Sequence, residues 1–144
     1  MRVDFYQLSR DPAENVLPLI ARKALADGER LLVVSSDSAQ LDRIDRQLWA
    51  LPGAFLAHGK SGDRHEELQP VLLSQSCEAA NGAKLVAFAD GKWRDVGTGF
   101  DRAFLLFDEA GLEGARACWR QLGESEDNER RFWKQDAGKW IEGP

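Results

Sequence analysis

Four short runs constrain this chain more than anything else in it: Arg30–Ser35 (RLLVVS), Gln69–Ser74 (QPVLLS), Ala83–Ala89 (AKLVAFA) and Asp101–Phe107 (DRAFLLF). Each is apolar throughout instead of alternating, so each predicts a strand buried on both faces, and such strands belong to parallel sheets covered on both sides. Pro70 suits a strand's first residue. Arg2–Leu8 (RVDFYQL) alternates and predicts a further strand, with Val3, Phe5 and Gln7 on one face. Between the strands lie helical stripes. Ser9 or Asp11 can cap a helix from Pro12 carrying Val16, Leu17, Ile20, Ala24 and Leu25, which Gly28 ends. Asp37 or Ser38 opens a second, with Leu41, Ile44, Leu48 and Trp49 as its apolar side and Pro52-Gly53 as its stop. Residues 53–68 read as irregular, and 91–99 as a turn or short helical piece around Trp93. Asp101–Phe107 is expected to be the last strand, followed by a helix from about Glu109 to Gly123 and a shorter one over Asp127–Lys134. The expected fold is α/β: one domain over residues 1–144, a mostly parallel sheet flanked by helices.

Composition narrows function by exclusion. The longest apolar runs are five or six residues, far below a membrane span. The opening MRVDFYQL carries no signal segment, and two cysteines, Cys77 and Cys118, are too few for a disulfide scaffold; a cytoplasmic setting is expected. A net charge of −5 argues against a surface that grips nucleic acid throughout, and no direct nucleic-acid contact is expected.

Catalytic motifs are imitated without being met. Gly53–Ser61 (GAFLAHGKS) nearly spells a phosphate-binding loop but has five residues between its glycines instead of four, and it follows a helix where a strand is required. Phe104–Glu109 (FLLFDE) resembles a magnesium-holding strand end, although acids there commonly cap helices. A small NTPase using Lys60 and Asp108 is therefore the alternative reading. His58 and His65, with Cys77 or Asp63, match no metal spacing. No catalytic residue, metal site or cofactor is expected.

The stretch Arg116–Trp140 holds three of the five Trp, with Phe132 and six Arg or Lys interleaved. Rings supply contact area at low entropic cost, and guanidiniums supply forked donors for carboxylate or phosphate. Arg116, Trp119 and Arg120 fall at i, i+3 and i+4, one face of a helix. A pair of terminal helices with Trp packed inward accounts for the same composition.

The order of landmarks is more specific than any one of them. An N-terminal Phe5-Tyr6 strand precedes Leu41-Asp42, Leu48-Trp49 and Phe55-Leu56-Ala57-His58-Gly59. Gln69–Leu73, Leu106-Phe107-Asp108 and Ala115-Arg116-x-x-Trp119-Arg120 follow. This collinear set resembles the chi subunit of bacterial DNA polymerase III across nearly the whole chain; Ala57 departs from a Pro often found before the His. The resemblance implies a fold like a nucleotide-binding domain without a working nucleotide site, in a non-catalytic accessory part of the clamp loader. It implies two partners: the psi subunit, at a surface including Trp49 and Phe55, and the acidic, Phe-ended tail of single-stranded DNA-binding protein. Arg116, Trp119 and Arg120 match the tail-binding positions, with Phe132 and Trp133 as further candidates.

Overall fold

The computed structural model describes residues 1–51, 56–97, 99–136 and 139–143. Among them, eight strands form one sheet: β1 (Arg2–Gln7), β2 (Leu31–Val34), β3 (His58–Lys60), β4 (Val71–Ser74), β5 (Leu85–Phe88), β6 (Arg102–Phe107), β7 (Glu129–Asp136) and β8 (Lys139–Glu142). Their order is β3-β4-β2-β5-β6-β1-β7-β8, and every pairing is parallel except β7 with β8. The α/β class and the mostly parallel sheet follow as expected. The four apolar runs supply β2, β4, β5 and β6, all buried apart from Arg102 at an entry point.

Three helices cover the sheet: α1 (Ala13–Ala26), α2 (Ser38–Ala50) and α3 (Leu112–Leu122). Alternation along the strands separates two cores. Leu31, Val33, Phe104 and Leu106 face α1 and α2, while Val3, Phe5, Leu105 and Phe107 face Ala115 and Cys118 of α3. On the α3 side further cover comes from the β4–β5 and β5–β6 connections, the latter including Trp93 and Phe100. Asp37 caps α2 as expected, accepting from the Ala39 N–H at 3.0 Å. Gly28, at φ +75°, follows the end of α1 in a left-handed conformation that suits glycine. Pro12, by contrast, is the residue before α1, and neither Ser9 nor Asp11 caps it. The Asp11 carboxylate instead accepts from Gln135 Nε2 at 2.7 Å, tying the start of α1 to β7.

The C-terminal third corrects the sequence expectation. Asp127–Lys134 is not a helix, and Asp101–Phe107 is not the last strand: Glu129–Asp136 is β7, paired along the length of β1, and β8 returns antiparallel to it. The reading of two terminal helices fails with it. ERRFWKQD follows neither a strict period of two nor a clean helical stripe, so its pattern alone chooses neither element. The unfilled edge of β1 decides for the strand, because β1 must hydrogen-bond on both sides to be buried. Residues 53–68 are also not wholly irregular, since His58–Lys60 adds a short edge strand and Glu66–Leu68 a 3-10 turn. No helix among the described residues is long and apolar enough to cross a membrane.

Candidate functional site

The alternation of β7 sorts its side chains onto opposite faces of the sheet. Phe132 pairs in register with Phe5 and lies on the α3 side; Trp133 pairs with Tyr6 and lies on the α1 side. Between α3 and β7 a cleft of about 370 Å³ opens, lined by Gln7, Leu112, Ala115, Arg116, Trp119, Arg120, Phe132 and Lys134. Arg116, Trp119 and Arg120 do share one helix face, and β7 brings Phe132 to it. Trp133 is not brought there; its indole Nε1 donates to Asp4 Oδ1 at 3.0 Å on the other face.

Trp119 is the fixed part of this cleft. Its ring stands edge-on to Phe5 at 5.2 Å and to Phe132 at 6.0 Å. The Arg130 guanidinium lies over it at 4.4 Å and donates through Nη1 to the Trp119 carbonyl at 2.7 Å. Arg130 reaches this place because Gly123 has no side chain: a Cβ there would stand 2.6 Å from Arg130 Nη1. Gly123→Ala is expected to displace the guanidinium and cost about 1 kcal/mol, the worth of one cation–π contact and one hydrogen bond. Thermal unfolding followed by near-ultraviolet circular dichroism checks this; an unchanged Trp spectrum with unchanged stability would mean that Arg130 fixes nothing.

The cations at the rim are solvent-exposed by contrast. Arg116 pairs with Glu113 at 3.2 Å, but the two side chains are 58% and 86% exposed, so the pair is worth little and yields readily to a better carboxylate. Arg120 and Lys134 are exposed. The cleft is thus an apolar floor edged by three cations. Lys134 and Gln7 line the cleft without being singled out by sequence spacing. On a strand Phe132 and Lys134 are i and i+2 and share a face, a pairing that a helix reading of the same residues hides.

Trp49 is 55% exposed on α2 while its neighbour Leu48 is buried. Its ring lies 4.4 Å from that of His58. The two ring nitrogens of His58 lie within hydrogen-bond distance of Leu56 O, at 2.7 Å, and Asp45 Oδ1, at 2.8 Å. Phe55 lies outside the described residues.

A further crevice, about 970 Å³, lies beyond the carboxyl ends of β1, β5 and β6, where α/β sheets commonly bind ligands. Its lining includes Asp11, Glu14, Asp90 and Asp108 against Arg10 and Lys92, the wrong sign for a phosphate. Burial alone would raise the Asp90 carboxyl, but hydrogen bonds from Arg94 and the Ser36 N–H bring it down to about 2. Lys60 pairs with Asp42 on α2. It stands four strands from β6, roughly 19 Å at about 4.8 Å per strand, so it shares no site with Asp108, which caps a turn through the Gly111 N–H. Burial pushes the Cys118 thiol up to about 12, leaving it inert as a nucleophile.

Comparison with known families places the chain itself. The family model described as DNA polymerase III chi subunit, HolC, matches residues 1–128 of the 144. The chain belongs to the DNA polymerase III chi subunit family. Membership makes it an accessory subunit of the DNA polymerase III complex, with a role in DNA replication. No curated protein matches the chain. The family match ends just before β7, so Phe132 and Lys134, the β7 side of the α3 cleft, lie beyond it.

Proposed function

We propose that this chi-family chain is a non-catalytic bridge of the clamp loader, holding the C-terminal tail of single-stranded DNA-binding protein in the α3–β7 cleft and the psi subunit at the surface around Trp49. The observation that carries the reading is the pairing of an apolar floor, Trp119 and Phe132, with three cations, Arg116, Arg120 and Lys134, at its rim. An acidic peptide ending in Phe needs a pocket for its ring and a guanidinium for its terminal carboxylate. Such a contact is small, so micromolar affinity that weakens with salt is expected. On the second surface, an exposed Trp braced against a His ring is a suitable apolar anchor for a partner subunit. Phe55 remains part of that proposed surface by resemblance.

The test is a titration of the full chain with a peptide copying the acidic, Phe-ended tail. Arg116→Ala is expected to weaken it about tenfold, one charge-assisted hydrogen bond at a partly exposed site. Equal affinity for variant and wild type would remove Arg116 from the site.

A further inference from the structure

The opposite face of the sheet carries a second cleft, about 400 Å³, that tail and psi binding leave unused. One wall is aromatic. Trp133 lies nearly parallel to Tyr6, at 19° and 6.4 Å, and Trp140 stands edge-on to Tyr6 at 5.1 Å. The facing wall is α1, through Ile20 and Ala24.

Beneath the rings sits Asp4, fully buried. Its carboxylate accepts from Arg2 Nε and Nη2, at 3.2 and 3.1 Å, and from Arg102 Nε at 2.7 Å. One buried negative charge thus positions two guanidiniums, and the group keeps a net positive charge. Both Arg side chains line the cleft, and the terminal nitrogens of Arg102 have no protein hydrogen-bond partner among the described residues. Fixed, forked and unspent donors of this kind suit a phosphate.

The rest of the lining separates two anionic ligands. Asp27, Lys23 and Arg131 also line the cleft. The cations suit any anion, but the aromatic wall favours a nucleobase, which offers the indoles a flat face and offers Asp27 N–H donors that an acidic peptide's carboxylates lack. We propose that this cleft binds a nucleoside phosphate, its phosphate on Arg2 and Arg102 and its base against Trp140 and Tyr6, either as free nucleotide or as one unit of a single strand. A slot for one nucleotide does not require the basic surface that the net charge of −5 excludes.

Calorimetric titration of the full chain with deoxycytidine monophosphate, inorganic phosphate and a short oligodeoxycytidine tests this. The mononucleotide is expected to bind more tightly than phosphate. Trp140→Ala is expected to weaken it at least about fivefold, the low end of losing one base–ring stack, while leaving binding of the acidic tail peptide unchanged. A tighter oligonucleotide assigns the site to single strands, and an equal or weaker one assigns it to free nucleotide. In the wild type, the indole N–H resonances of Trp133 and Trp140 are expected to shift with nucleotide while that of Trp93 does not, a readout independent of any variant's folding. Phosphate binding as well as the nucleotide, no saturable binding, indoles that do not move, or displacement of nucleotide from this cleft by the acidic peptide would each overturn the proposal.

Discussion

Asp4→Asn is expected to destabilise the protein by about 3 kcal/mol and lower its melting temperature by roughly 6–12 °C, the largest stability effect of any single polar substitution here. The substitution preserves shape but removes the one charge that compensates Arg2 and Arg102, leaving two guanidiniums, 32% and 28% exposed, facing each other across an amide. Those exposures place the cost at the low end for a broken buried pair. The effect carries a pH signature. Burial alone would raise the Asp4 carboxyl, but hydrogen bonds from Arg102, Trp133 and Arg2 outweigh it and hold the group below its ordinary 3.8. A carboxyl depressed in the folded state stabilises above its unfolded value, and that contribution is lost as pH falls through the folded one. The stability gap between wild type and Asp4→Asn is therefore expected to be full at pH 7 and to narrow below about pH 4. Denaturant melts at both pH values provide the measurement; a gap independent of pH would show that charge is not what Asp4 contributes.

Trp119→Ala should have the largest effect on the proposed tail site. Removing the indole takes away the floor of the α3 cleft and the partner of Phe5, Phe132 and Arg130 at once. Because the side chain is only half-buried, the expected cost is about 2–3 kcal/mol of stability, below that of a fully buried Trp. Affinity for the acidic, Phe-ended peptide is expected to fall at least about 30-fold, as for a central aromatic anchor. Trp119→Phe separates the two, since it keeps the edge contact with Phe5 while shrinking the floor. A Trp119→Ala protein that stays folded and binds the peptide normally would place tail recognition elsewhere.

Burial on both faces is the part of this fold that a sequence displays most openly. LLVV, VLLS, LVAF and RAFLLF have no helical or alternating reading, so the centre of the sheet and its parallel sense were legible at once. The edges were not. His58-Gly59-Lys60 is a strand only because β4 offers it an edge, and nothing in those three residues favours extension. Glu129–Asp136 lies one strand from the other edge, where polar side chains are tolerated on both faces, so its pattern no longer distinguishes helix from strand. The candidate site divides the same way. Its helical half, Arg116, Trp119 and Arg120, could be read from i, i+3, i+4 spacing. Its strand half could not, because assigning Phe132 to one face and Trp133 to the other depends on the period of an element whose type was decided by the neighbouring β1.

The turn between α3 and β7 consequently sets a phase. Its anchors are the Met1 ammonium donating to the Asp127 carbonyl, Asn128 Nδ2 donating to the Leu122 carbonyl, and the Glu129 N–H donating to the Met1 carbonyl. With one residue inserted there and the pairing to β1 kept, Arg131 would take the place of Phe132 opposite Phe5, and Phe132 that of Trp133 opposite Tyr6. The β7 side of both clefts would change at once, Arg131 and Trp133 replacing Phe132 and Lys134 on the α3 side and Phe132 replacing Trp133 on the other. Individual wall residues can vary one at a time, but the length of this turn cannot change by an odd number without inverting the whole C-terminal edge.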